Sequence, residues 1–275
     1  MNLYRGCTHG CIYCDSRSKC YGMLHDFEDI EVKSDAVGML KIELSKKRQK
    51  CTIGTGAMTD PYLPLEEELQ YTRQCLELID QHRFGLSIHT KSDLILRDID
   101  LLERINEHSK CVVQITLTTA DEELCRVLEP RVCTTERRVQ VLSEMQKRGI
   151  PTVVWLTPIL PFINDNEMNI TRLIEYCAQT QVKAILNYGM GLTLREGNRE
   201  YYYSKLDESF PGLKKEYQKR YLDSYHVLSP NYQKLMQVFQ QQCQKYGILT
   251  DINSIFGYLW AYQNKQEVEQ LYIPL

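Results

Sequence analysis

The chain has no run of about 18 apolar residues, so no membrane-spanning helix and no membrane partner are expected. Its start, Met1-Asn2-Leu3-Tyr4-Arg5-Gly6, has no apolar leader region, so no secretory signal is expected and a cytoplasmic location is. It lacks an excess of positive charge: 33 Lys and Arg stand against 36 Asp and Glu, a formal net charge of -3. That balance disfavours a strongly basic nucleic-acid binder, although a global sum leaves room for a local basic groove. Low-complexity tracts are also missing, since Gln240-Gln241-Gln242 is too short to count.

What remains is globular in composition. Over 275 residues, 43% are hydrophobic and 25% charged, enough to bury a large core without covalent staples. Eleven cysteines are many for such a chain. Without a leader they read as reduced thiols rather than a disulfide framework. Cys51, Cys75, Cys111, Cys125, Cys133, Cys177 and Cys243 are scattered, and each reads as a small core hydrophobe.

Apolar β-branched runs alternate with amphipathic ones. Strands are expected at 51–54, 84–90, 111–118, 152–160 and 183–188. Helices are expected at 65–82, 98–108, 135–148 and 167–180, with Leu65, Leu69, Leu76 and Ile79 on one face of the first. Thr135-Glu136 reads as a helix start and Gly149-Ile150-Pro151 as a stop. Repeated βα units imply a parallel sheet covered by helices, with ligands at the C-terminal strand ends. From about Leu194 the character changes to a polar stretch, then Tyr201-Tyr202-Tyr203, then a last long helix at 228–246. The organisation expected is a barrel-like domain over 1–195 and a C-terminal extension over 196–275, too short for an independent core. The three tyrosines read as core cover, with a base-stacking platform as the alternative.

The sharpest signal is Cys7-Thr8-His9-Gly10-Cys11-Ile12-Tyr13-Cys14, three thiols spaced C-x3-C-x2-C. Gly6 and Gly10 allow tight turns, so the thiols can converge on one cluster from a single loop. Thiolates are the usual ligands of iron–sulfur clusters, and three ligands leave one of four irons open to a small molecule. A structural zinc site wants four ligands, with His9 or Cys20 as candidates for the fourth. A plain ferredoxin would use four cysteines.

This triplet resembles the radical S-adenosylmethionine superfamily, whose hallmark is C-x3-C-x-aromatic-C, with Tyr13 at the aromatic position. The resemblance implies a [4Fe–4S] cluster on Cys7, Cys11 and Cys14, with S-adenosyl-L-methionine chelated at the open iron. It implies reductive cleavage of that cofactor to a 5′-deoxyadenosyl radical, which abstracts hydrogen from an unidentified substrate. It also implies a low-potential electron donor of flavodoxin or ferredoxin type. The implied fold is α/β, a partial (β/α)6 TIM-like barrel with a C-terminal helical extension. Only six residues precede Cys7, where the superfamily places a strand, so the first strand is expected to be missing or very short, or the chain start incomplete.

A narrower resemblance, to the spore photoproduct lyase-like family, rests on tracts in order over about residues 2–190. They are 2–11, 54–62 with Glu66, Thr90-Lys91-Ser92 with Arg97-Asp98, 116–119, Leu128-Glu129-Pro130-Arg131, and Pro158-Ile159-Leu160-Pro161 with Asn164-Asp165. By this resemblance Gly54, Thr55 and Gly56 approach the cofactor's methionyl group, Thr59 and Lys91 its carboxylate, and Thr116 its ribose. Lys91 as a solvated lysine and Thr116 as packing are the plain alternatives. Asp60-Pro61 reads as a turn first and a site second. Glu129 and Arg131 read either as a substrate-side pair or as a loop ion pair. One departure bears on function. The family's lyase carries a hydrogen-donor thiol just upstream of its Asp-Pro, where this chain has Ala57-Met58-Thr59. Thymine-lesion repair by that route is therefore disfavoured, and a nucleic-acid substrate stays open without being preferred. A non-catalytic iron–sulfur or zinc protein is the remaining alternative.

Overall fold

A computed structural model describes residues 1–265; the last ten residues of the expected extension, 266–275, lie outside the described residues. The chain opens with two short antiparallel strands, β1 (Tyr4–Arg5) and β2 (Glu31–Val32), which pair with each other and flank the cysteine loop. Helix α1 (Ala36–Lys46) follows. Five parallel strands then form the central sheet: β3 (Thr52–Thr55), β4 (Gly85–Thr90), β5 (Cys111–Thr116), β6 (Thr152–Trp155) and β7 (Ala184–Leu186). They lie side by side in sequence order. The crossovers are α2 (Glu66–Leu69) with α3 (Tyr71–Gln81), α4 (Ile99–His108), α5 (Glu122–Leu128) with α6 (Thr135–Lys147), and α7 (Glu167–Gln179). Among the described residues the parallel sheet thus has five strands, and the segment before Cys7 pairs outside it.

Alternation within each strand divides the sheet into two faces. Leu86, Ile88, Val113, Ile115, Val154 and Ile185 face the helices and join Leu76, Leu102, Leu142 and Leu173 in the main core. Val112, Val153, Ala184 and Leu186 face the concave side, where they pack against Ile255 and Leu259. Those two belong to α11 (Ile252–Trp260), which touches both edge strands, β3 and β7. It covers the concave face from Val112 and Ala184 to Leu186, and its Phe256 ring meets Trp155 edge-on at 6.5 Å. Full burial of a Leu or Ile contributes about 1.5–3 kcal/mol, so these two layers carry most of the stability.

Two expected helices have different bounds. The run 65–82 is broken at Gln70, which adopts a left-handed φ of 51°. The cause is Glu66, whose buried carboxylate accepts from the Tyr4 hydroxyl, from the Thr72 amide (2.9 Å) and from Arg97 (3.4 Å). Glu66 therefore caps α3 from the preceding turn instead of extending one continuous helix. The run 228–246 begins later, as α10 (Tyr232–Tyr246), because Leu228 ends a strand.

The remaining elements are β8 (Gly191–Thr193), α8 (Asn198–Ser209), α9 (Leu213–Tyr221) and β9 (His226–Leu228), with β8 and β9 antiparallel. Tyr202 and Tyr203 are buried with Cys11, Ile12, Tyr13 and Leu160. The Tyr202 and Tyr217 hydroxyls lie 2.9 Å apart, and Tyr217 donates onward to the Pro161 carbonyl at 2.8 Å. These tyrosines fill a second core that braces the cysteine loop. Tyr201 lies under the Arg17 guanidinium, 3.8 Å from its ring centroid.

Candidate active site

The cysteine loop sits over the C-terminal ends of β3 and β4. Gly6 and Gly10 both have positive φ, 89° and 74°. The Cys7 amide donates to Phe27 at 2.9 Å, the Ile12 amide to Leu128 at 3.0 Å, and the Arg131 amide to His9 at 3.1 Å. The loop is thus pinned on both sides. Cys7, Cys11 and Cys14 all line one cavity of about 110 Å³, together with Gly56, Thr59 and Lys91. None of the three is in a disulfide. Among the described residues no three His, Cys, Asp or Glu side chains are gathered closely enough for a single metal ion, so the thiols border a space rather than pinch a point.

Burial pushes the Cys7 thiol up to about 12 and the Cys11 thiol higher still. Buried thiols of this kind ionise only when a cation compensates. A multi-iron cluster supplies that compensation, and three thiols around one cavity suit it. Burial works against the Lys91 ammonium, yet the facing Cys11, Glu129 and Cys14 hold its pKa above the ordinary lysine value.

Asp60 is the organiser of this side. Its Oδ1 accepts from the Tyr62 amide at 2.9 Å and the Thr90 hydroxyl at 2.6 Å. Its Oδ2 accepts from the Lys91 amide at 2.8 Å and lies 3.6 Å from His9 Nδ1. Burial opposes its charge, but His9, Thr90 and the two amides outweigh it and hold the carboxyl below its ordinary value. Gly56 brings the 56–60 loop flush against β4. With φ 93°, a Cβ there would stand 2.0 Å from the His89 carbonyl oxygen.

A second cavity of about 590 Å³ adjoins the first and shares Cys14, Ser16, His89 and Lys91 with it. Its walls include Tyr13, Thr116, Trp155, Tyr188 and, from beyond the sheet, Arg195 and Tyr225. His89 Nε2 lies 2.8 Å from the Thr116 hydroxyl, and its ring stacks on Trp155 at 4.7 Å and 14°. Burial, reinforced by Lys91, pushes His89 down to about 3, so its imidazole is neutral. Trp155 in turn donates to Gln114 at 2.8 Å.

Seven of the residues singled out from sequence as cofactor contacts or ligands therefore border one or other cavity beside Cys14: Tyr13, Gly56, Thr59, Lys91, Thr116, Cys7 and Cys11. Gly54 and Thr55 stand one step back, inside β3, and border neither. Glu129 is buried, and its partner is Arg138 rather than Arg131, which is exposed. Asn164 ties the β6 exit to that of β5, accepting from Leu160 and donating to Thr118 at 2.8 Å.

Sequence reasoning missed His89, Trp155 and Arg138. The signals were there. His89 and Trp155 occupy concave-side positions at strand ends, and Arg138 falls on the apolar stripe of α6 with Val141, Leu142 and Met145.

A half-barrel of sequential parallel strands with three thiols and a lysine at its C-terminal ends defines a class of cofactor-dependent α/β enzymes. The radical SAM superfamily model matches residues 1–174. The chain belongs to the radical SAM superfamily, whose enzymes use a [4Fe–4S] cluster and S-adenosylmethionine and require a reductant. An uncharacterized protein of Methanocaldococcus jannaschii is 33% identical over 171 residues, 61% of this chain and 62% of that protein. A radical SAM Nalpha-GlyT isomerase of Pseudomonas phage M6 is 29% identical over 159 residues, 57% of this chain and 32% of that one. The chain thus spans less than two thirds of either relative. Spore photoproduct lyase with bound AdoMet and dinucleoside spore photoproduct is similar in fold, with TM-score 0.66 at 14% identity over 90% of this chain and 74% of that one. No described helix is long and apolar enough to cross a membrane.

Proposed function

We propose that Cys7, Cys11 and Cys14 hold the [4Fe–4S] cluster and that S-adenosylmethionine binds at its open iron across the boundary between the two cavities. The observation that carries this reading is the convergence of all three thiols and Lys91 on one small cavity that shares walls with a larger one. When bound, the two cofactors supply one-electron reductive cleavage and hydrogen abstraction.

The chain's own residues bind and orient. The Lys91 ammonium faces the thiols and offsets the cofactor's carboxylate. Asp60 holds the Lys91 backbone and His9, so the ammonium and the loop keep a fixed relation. Thr59 and the Gly56 backbone close the side toward β3. Thr116, held by neutral His89, lines the region toward the ribose. The substrate takes the rest of the larger cavity, against the Trp155 and Tyr188 rings. A flavodoxin- or ferredoxin-type donor supplies the electron.

Lesion repair by thiol quenching is not supported. Cys14 is the sole thiol in the walls of the larger cavity, and it is assigned to the metal. The domain reading that follows is one catalytic half-barrel over 1–195 with the rest packed on it as cover.

Anaerobic reconstitution with iron and sulfide, followed by dithionite and S-adenosylmethionine, is the test. Release of 5′-deoxyadenosine is expected. Cluster-loaded protein that releases none, or protein that takes up one zinc and no iron, would overturn the reading.

A further inference from the structure

Behind the cysteine loop lies a buried ion pair that binding of the cofactors does not explain. Glu129 and Arg138 have side chains 0% and 1% exposed and are hydrogen bonded to each other. Burying two charges is costly, and a well-packed apolar pair is often as stable or more so. The pair's other contacts show what it connects. Glu129 accepts from the hydroxyl of Tyr13, the residue between Ile12 and Cys14 in the loop. Arg138 donates to the Thr116 carbonyl at 3.0 Å, at the end of β5, and to the Cys133 carbonyl at 2.9 Å. Lys91, which lines the cavity of the three thiols, feels the charge of the Glu129 carboxylate.

We propose that Glu129 is a positioning residue for the cluster: it fixes Tyr13, and with it the Cys11–Cys14 limb, and it neutralises Arg138 so that no uncompensated cation raises the metal's reduction potential. The inference rests on the cysteine assignment above and deepens it.

The sign follows from charge. Reduction adds an electron, and a nearby positive charge favours the reduced state more strongly in a low-dielectric interior. Glu129→Gln leaves Arg138 and Lys91 without that counter-charge, so the potential must rise. Glu129→Gln/Arg138→Met removes one charge of each sign, so the potential must return toward that of the parent. Tyr13→Phe changes no charge and frees only the limb.

The experiment is an anaerobic redox titration of the reconstituted full chain followed by electron paramagnetic resonance. For Glu129→Gln the reduced-to-oxidised ratio at a fixed poise is expected to increase at least tenfold, which is about 59 mV for one electron. The double variant is expected to revert most of that change. Tyr13→Phe is expected to keep the parent's potential and full iron content but broaden the spectrum. An unchanged potential in folded, cluster-loaded Glu129→Gln overturns the electrostatic role, as does a double variant that stays as high as the single one. Should Glu129→Gln fail to fold, an unaltered Tyr13→Phe spectrum still overturns the positioning role. Parent protein that takes up no iron sinks the cysteine assignment instead, so the two failures are told apart.

Discussion

Replacing Asp60 by Ala removes the acceptor that joins the 56–60 loop to the end of β4. Its side chain is only 9% exposed, and it receives hydrogen bonds at 2.9, 2.6 and 2.8 Å. Hydrogen bonds to a charged group contribute about 1.5–3 kcal/mol each, and a donor left buried without a partner costs about 1–3 kcal/mol. Against this stands the desolvation of the carboxylate, which the substitution relieves. The balance is a net loss of roughly 3–5 kcal/mol, in the range seen when a buried charged network is broken. At about 2–4 °C per kcal/mol for large domains, the melting temperature should fall by at least about 6 °C. The assay is thermal unfolding of the metal-free protein by circular dichroism at neutral pH. Because the folded-state pKa of Asp60 lies below its unfolded value, its contribution is present above the unfolded pKa and is lost as pH falls through the folded one. The difference between parent and variant should therefore shrink in strong acid. A variant that melts within a degree or so of its parent at neutral pH would refute the reasoning.

Other perturbations test other parts. Asp165 has its carboxyl raised by burial despite a 2.5 Å hydrogen bond from Ser229. Its penalty is absent below the unfolded pKa and grows as pH rises through the folded one, so Asp165→Asn should melt higher than its parent at neutral pH and lose that advantage on acidification. Gly56→Ala would place a methyl 2.0 Å from a backbone carbonyl at positive φ, so the loop must move; a loss of about 1–3 kcal/mol is expected in denaturant titration, with weaker S-adenosylmethionine binding by equilibrium dialysis. Leu102→Ala, in the main core at 0% exposure, should cost about 2–5 kcal/mol by the same titration while leaving iron content per folded molecule unchanged. Cys75→Ala should keep full iron loading, since Cys75 packs in the core against Leu3 and Tyr4.

The five parallel strands were legible because buried strands read as β-branched runs spaced by βα units. The cysteine triplet was legible because its spacing is itself the signal. Other features were not, for physical reasons. Gln70 breaks a helix because of a distant tyrosine and arginine on Glu66, which no local pattern encodes. Helices α8 and α9 are rich in Tyr and Lys, so their buried stripe has little contrast with the exposed side, and the tyrosines mark a core only once α8 meets α9. Helix α11 is apolar nearly all round, and nothing in sequence says that it plugs the concave face. Glu129 looked like a neighbour of Arg131, yet the loop turns Arg131 outward and brings Arg138 in from α6.

The most direct measurement is the electron paramagnetic resonance spectrum of the dithionite-reduced, reconstituted protein before and after adding S-adenosylmethionine labelled with ¹⁷O in its carboxylate. A changed spectrum with resolved coupling to the label is expected, and Cys7→Ala, Cys11→Ala and Cys14→Ala should each lose the signal. A spectrum indifferent to the labelled molecule, or one that persists in any of those three variants, would contradict a cluster held by three thiols with one iron open.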